Sequence, residues 1–202
     1  MKIALIGASG NVGARILKEL SSRGHTVTAI ARHPEKIGSL ANVSAVKGDV
    51  GDKAGLAALL KGHDAVVSSV RFTDGSPTRL LEAVRAAGVK RYLVVGGAAS
   101  LEVAPGKRLL DTPQFPAAYK AEASAAAAYL DMLKGVSDLD WTFLSPSALF
   151  VAGERTGKFR LGKDALLTSE KGSTISYEDY AIALVDEIEQ PRHIRQRFTV
   201  GY

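Results

Sequence analysis

Gly7-Ala8-Ser9-Gly10-Asn11-Val12-Gly13 is the stretch whose residue types and spacing best suit chemistry. Glycine at every third position lets a chain turn tightly and brings its backbone close to a charged oxygen. An apolar run from Met1 to Ile6 precedes it, and Ile16, Leu17 and Leu20 recur behind it at helical spacing. A strand, a glycine turn and a helix in that order form a phosphate site, because the helix start offers unpaired N–H groups and the positive end of its dipole. The expected ligand is the pyrophosphate of a dinucleotide, held by Gly7 through Gly13. An ordinary glycine-closed loop is the alternative. A second strand about twenty residues further on favours the nucleotide unit.

That second strand ends in Thr28-Ala29-Ile30-Ala31-Arg32-His33-Pro34. A site selective for NAD(H) places an acid here to accept from the ribose hydroxyls. Arg32 stands there instead, and a guanidinium can hold a 2′-phosphate through two parallel hydrogen bonds. NADP(H) is therefore expected over NAD(H), with Lys36 adding charge and His33 nearby; a solvated loop arginine is the plainer reading. Asp49 is placed to accept from an adenine amino group, with Val50 beside the ring, while Asp52 reads as the cap of the next helix. Ser68, Ser69 and Val70 end the fourth strand and Gly96 follows the fifth, where ligands of parallel sheets lie. Alternation turns one of the two serines away. Arg71 then meets phosphate or solvent.

The elements that must position these residues alternate along the chain. Apolar strands are expected at Lys2–Ile6, Thr26–Ala31, Val43–Lys47, Ala65–Val70, Tyr92–Val95 and Trp141–Leu144. Helices are expected at Asn11–Arg23, Pro34–Leu40, Lys53–Leu60, Pro77–Ala87 and Ala117–Lys134. Near-continuous apolar strands separated by helices predict an α/β fold, a doubly wound parallel sheet covered on both faces. Gly24, Gly62, Gly88 and Gly135 each follow a helix, as stop signals do. Beyond Gly153, extended pieces around Lys158–Leu161 and Ala165–Thr168 read as hairpin-like excursions close to the ligand. Tyr177–Glu189 reads as a helix capped by Ser176, with Glu178 and Asp179 in its first turn, and Arg197–Val200 as a closing strand. With 202 residues, 46% of them hydrophobic, a single soluble domain spanning 1–202 is expected.

Composition excludes several chemistries. The chain has no cysteine, which removes disulfides and thiolate catalysis and is compatible with a cytoplasmic enzyme. His25, His33, His63 and His193 lack ligand spacing, so no metal site is expected. A net charge of +5 is dispersed rather than clustered, so nucleic acid is not indicated and an anionic cofactor accounts for the charge equally well. No apolar run approaches the ~18 residues of a membrane span.

Gly7–Gly13, Arg32, Lys47–Asp52, Ser68–Val70 and Trp141–Pro146 together resemble the atypical short-chain dehydrogenase/reductase superfamily. The likeness is strongest to its compact NAD(P)H-binding, NADH-flavin reductase group. That group is similar in architecture to biliverdin reductase B and flavin reductases, and more distantly to nitrogen-metabolite-repressor-like proteins. Gly153-Glu154-Arg155-Thr156-Gly157 and Arg197-Phe198-Thr199-Val200 extend the resemblance through the C-terminal region. It implies a Rossmann-like fold and a loop, Leu144 to Phe150, that passes the nicotinamide. Backbone at Ser145 would bond the carboxamide there, and Pro146 would fix the turn.

Ordinary members of that superfamily use a serine after the fifth strand and Tyr-x-x-x-Lys on the next helix, the tyrosine protonating a carbonyl oxygen. Here small residues, Gly96-Gly97-Ala98, replace the serine; Lys120 follows Tyr119 directly, and Ala123 stands at the lysine position. Adjacent helical residues point about 100° apart, so Tyr119 and Lys120 are not that pair. Tyr119, Lys120 and Ser147 are the remaining catalytic candidates, and a solvated Lys120 is equally open. Ser147 stands where the biliverdin reductase B group has a histidine, which argues against biliverdin. Phe150, with Phe115 or Tyr119, reads as a platform for an acceptor ring or as core.

Hydride transfer to a flavin needs proximity and orientation more than a positioned acid. The expectation is an oxidoreductase passing hydride from NADPH to a flavin or quinone-like small molecule, the flavin a substrate rather than a bound group. A non-catalytic NADP(H)-sensing regulator is an alternative on the same missing pair. A sugar-nucleotide epimerase or dehydratase is a third reading. Monomer and homodimer both stay open.

Overall fold

A computed structural model describes residues 1–74 and 77–202. The apolar run at the start forms β1 (Lys2–Ile6), and the glycine turn leads into α1 (Asn11–Ser22). Then come β2 (Thr26–Ala31), β3 (Val43–Lys47), α2 (Lys53–Leu60), β4 (Ala65–Ser68), α3 (Pro77–Ala86) and β5 (Arg91–Val95). A small hairpin, β6 (Glu102–Ala104) and β7 (Lys107–Arg108), precedes α4 (Lys120–Lys134). The chain closes with β8 (Asp140–Pro146), β9 (Leu149–Val151), β10 (Arg160–Gly162), β11 (Thr174–Ser176), α5 (Tyr177–Glu189) and β12 (Gln196–Gly201).

Eight strands form one sheet in the order β10-β12-β8-β5-β4-β1-β2-β3. All pairs are parallel except β10 with β12, which adds an antiparallel edge. The strands are apolar on both sides because helices cover both faces. One core layer holds Ile16, Leu17 and Leu20 of α1 against Tyr180, Leu184 and Ile188 of α5, over Ile3, Leu5 and Phe198. The other holds Leu56 and Leu60 of α2, Leu81 and Val84 of α3 and Leu130 and Leu133 of α4, over Val66, Tyr92 and Phe143. Each fully buried leucine of this kind stabilises the fold by roughly 1.5–3 kcal/mol.

Four expectations need correcting. Pro34–Leu40 forms only a 3-10 turn, Pro34–Lys36, because Ile37 turns extended and Gly38 follows. The fourth strand stops at Ser68, so Ser69 and Val70 already belong to the loop. Ala165–Thr168 forms no strand; Ala165 makes a single bridge to Glu102. The segment after Gly153 runs along α5 and the sheet edge: Thr156 and Gly157 donate to the buried Asp179, and β10 pairs with β12.

Candidate dinucleotide site

The carboxyl ends of β1, β2, β3 and β4 open onto one groove, a cavity of about 360 Å³. Its floor is Ile6, Gly7, Ser9 and Gly10; its walls are Ile30 to His33 with Lys36, Gly48 to Val50, and Ser69 to Arg71 with Asp74. Gly7 sits at φ +83°, and a Cβ there would lie 2.2 Å from the Ser69 carbonyl oxygen. A Cβ on Gly13 would lie 2.1 Å from the Gly7 carbonyl oxygen. The loop is therefore folded onto itself more tightly than any side chain permits, and that closeness keeps the groove floor open to a ligand.

The start of α1 supplies the donors. Gly10 is its N-cap, no side chain among the described residues accepts from its first-turn amides, and no acidic residue stands there. Amides at Asn11, Val12 and Gly13 thus lack the partner that an ordinary cap provides, which suits an anion. Ala8 is buried and its N–H already donates to the Ile30 carbonyl at 3.2 Å, and Val12 packs on the core, so Val12 can offer a ligand only its backbone. These residues fit a dinucleotide pyrophosphate.

Charge gathers at the far end of the groove. Arg32, His33, Lys36 and Arg71 line it beside Asp49 and Asp74. Arg32 is largely exposed, and its guanidinium lies 3.9 Å from the Asp74 carboxylate. Asp49 accepts from the Gly51 N–H at 2.7 Å through one oxygen. Asp52 caps α2, accepting from Gly55 N–H. Of the two serines, Ser69 lines the groove; Ser68 is buried and borders a separate small cavity with Phe72 and Tyr129.

The residues expected at the nicotinamide, Gly96, Ser145 and Pro146, follow β5 and end β8 and lie outside the lining of the groove. The Leu144 carbonyl accepts from Gly96 N–H at 2.9 Å and from the Tyr180 hydroxyl at 2.7 Å, which fixes the strand end just before Ser145. Burial pushes the Tyr180 phenol far up, so it remains a neutral donor. The Ser145 carbonyl accepts from Thr199, while its buried hydroxyl has no partner among the described residues. Pro146 ends β8 in register with Val200.

The catalytic candidates are not brought together. The Ser147 hydroxyl is fully buried and donates to the Val200 carbonyl at 3.1 Å, so it faces β12 rather than a ligand. Tyr119 ends a 3-10 turn and is 67% exposed, with no resolved hydrogen-bond partner for its hydroxyl among the described residues. Lys120 is exposed and borders a shallow cavity with Phe115 and Arg108, away from the groove lining. Ala123 occupies the place four residues after Tyr119 and is buried. Phe150 is no platform with Phe115 or Tyr119. It packs edge-on against Tyr177 and tilted against Tyr180, both at 4.7 Å between ring centres.

A family profile described as NAD(P)H-binding matches residues 7–191. The chain belongs to this NAD(P)H-binding family. The NAD(P)H-binding chain is 46% identical to the uncharacterized protein YwnB of Bacillus subtilis, over 99% of this chain and 98% of that one. A solved structure from Streptococcus pneumoniae, named a "putative NADH-flavin reductase", is 39% identical, covers 100% of this chain and 99% of its own, and superposes with a TM-score of 0.82. Another from Bacteroides thetaiotaomicron, named a "putative epimerase", is 43% identical, covers 100% and 96%, and has a TM-score of 0.94. An oxidoreductase-like, nicotinamide-binding Rossmann protein is the common ground. Among the described residues, no helix is long and apolar enough to cross a membrane.

Sequence reasoning missed Asp74 in the groove wall and Glu122 behind it. The Glu122 carboxylate accepts from Phe72 N–H at 2.7 Å and from Thr73 N–H at 3.1 Å. No local signal pairs residues nearly fifty positions apart; only the packing of α4 beside the loop after β4 joins them. Arg15 was missed too: it donates to the Asn11 carbonyl and to Glu178, tying the start of α1 to α5.

Proposed function

We propose that this protein is an NADPH-preferring oxidoreductase that passes hydride to a flavin or quinone-like acceptor. One observation carries the reading: a groove suited to the nucleotide and pyrophosphate part of a dinucleotide lies in a protein whose Ser147, Tyr119 and Lys120 form no acid–base pair. Bound in the groove, the reduced nicotinamide supplies a hydride. A flavin accepts that hydride at a ring nitrogen and takes one proton from solvent, so no protein acid has to stand at the reacting atom. What remains for the chain is to hold two flat rings in contact, and such positioning alone accounts for large rate gains. Gly7 to Gly13 hold the pyrophosphate, Arg32 with Lys36 the 2′-phosphate, Asp49 and Val50 the adenine. Ser69 and Val70 flank the ribose, and Gly96, Ser145 and Pro146 border the nicotinamide.

Epimerase chemistry draws on the Tyr-x-x-x-Lys pair, and the buried Ala123 stands where its lysine belongs. Steady-state oxidation of NADPH, read at the reduced nicotinamide band with FMN, FAD or riboflavin added, tests the proposal. A flavin-dependent rate above the protein-free rate is expected. Tight NADPH binding without turnover on any flavin or quinone would point to a dinucleotide sensor instead.

A further inference from the structure

The loop after β4 forms the groove wall opposite Arg32, and it is held from behind by a carboxylate that also stands 3.9 Å from the Arg71 guanidinium of the groove lining. Glu122, in the first turn of α4, spends both carboxylate oxygens on this loop. One accepts from Phe72 N–H at 2.7 Å; the other accepts from Thr73 N–H at 3.1 Å and from the Thr73 hydroxyl at 2.7 Å. A carboxylate bonded to backbone N–H groups makes charge-assisted bonds, roughly twice as strong as neutral ones. The Phe72 ring supplies a second anchor, packed 5.7 Å from Tyr129 and 6.2 Å from Phe143. Beyond these two anchors the next side chain is Asp74, whose carboxylate stands 3.9 Å from the Arg32 guanidinium and lines the groove with it.

We propose that Glu122 is a positioning residue: by clamping the Phe72–Thr73 backbone it holds Asp74 opposite Arg32, and Asp74 thereby sets how strongly the groove separates a 2′-phosphate from a 2′-hydroxyl. The proposal rests on the reading of Arg32 as the 2′-phosphate ligand. An anion beside Arg32 offsets part of its charge and repels a second anion arriving there. A ribose hydroxyl carries no charge and is nearly indifferent to it. The loop thus moderates the preference that Arg32 creates, and a helix distant in sequence governs it.

The test is direct binding of NADPH and of NADH, followed by nicotinamide fluorescence, to the wild type and to Arg32→Ala, Asp74→Asn, Glu122→Gln and the Asp74→Asn/Glu122→Gln double variant. Asp74→Asn is expected to tighten NADPH binding roughly threefold to tenfold while moving NADH by no more than about twofold. Glu122→Gln is expected to shift the NADPH-to-NADH affinity ratio in the same direction, and to shift it no further once Asp74 is already Asn. Thr73→Val, which removes one bond of the same clamp, should move the ratio likewise by a smaller factor, and it serves where Glu122→Gln does not fold. If Glu122→Gln weakens both dinucleotides equally in either background, its role is structural only and the proposal fails. If Arg32→Ala weakens NADPH but Asp74→Asn leaves the ratio unmoved, the proposal fails and the Arg32 reading survives. If Arg32→Ala leaves NADPH binding unchanged, the Arg32 reading itself falls.

Discussion

At the scale of single residues, Gly7 bears the strictest demand in the site. Its positive φ and the 2.2 Å approach of a Cβ to the Ser69 carbonyl both exclude a side chain. Gly7→Ala is expected to destabilise the fold by about 2–4 kcal/mol, read from the urea midpoint, and to weaken NADPH binding at least tenfold or so. An alanine variant with unchanged midpoint and affinity would contradict this account of the turn. The glycine turn was legible in the sequence because its whole signal is local: spacing, a strand before it and a helix after it. The place of Arg32 in the groove lining was legible for the same reason, from its position after β2. Asp74 and Glu122 were not, since their roles come from packing between α4 and a loop. Ser147 was misread because its hydroxyl direction depends on the pairing of β8 with β12, which local pattern does not encode.

At the scale of elements, helices with a clear local start and a glycine stop signal were read best. Asn11–Arg23 and Lys53–Leu60 match α1 and α2 to within a residue at either end. Pro34–Leu40 offered a proline start but too few apolar positions to bury, and it closes after one turn. The start of α5 shows what a well-specified terminus contributes. The Ser176 hydroxyl accepts from Asp179 N–H at 3.0 Å and donates to the Glu154 carbonyl at 2.9 Å. Asp179 itself is fully buried and receives Thr156, Gly157 and Tyr202. Ser176→Ala is expected to lower stability by roughly 1–2 kcal/mol, measured by thermal unfolding. A change below a few tenths would show that the remaining loop bonds hold α5 without its cap. An extended piece around Lys158–Leu161 was legible and overlaps β10, but its antiparallel pairing with β12 was not, because a three-residue edge strand carries almost no period.

At the scale of the whole molecule, distant segments are tied by ion pairs that make stability depend on pH. Glu19 on α1 is almost fully buried and meets Arg155 at 2.8 Å and Arg23 at 2.8 Å. Burial alone would raise its carboxyl, but the hydrogen bonds from Arg155 and Arg23 outweigh that and hold it below the usual carboxylate range. A carboxyl lowered in the folded state contributes stability that is present above its unfolded value and is lost as pH falls through its folded value. Arg155→Ala is therefore expected to cost about 1 kcal/mol near neutrality, modest because Arg155 is largely exposed. The gap from the wild type should close as pH drops below the usual carboxylate range. A gap that stays constant into acid would show that Arg155 acts through packing rather than charge. The doubly wound layering itself was legible, because apolar strands alternating with amphipathic helices admit few other arrangements.

The chemistry of the assembled molecule is tested most directly by one anaerobic rapid-mixing measurement. Protein preloaded with NADPH is mixed with FMN, and the nicotinamide band and the oxidised-flavin band are followed together. Loss of both bands in equal molar amounts, faster than without protein, is the predicted result. Retention of both bands while NADPH stays bound would contradict hydride transfer and leave a protein that holds the dinucleotide without using it.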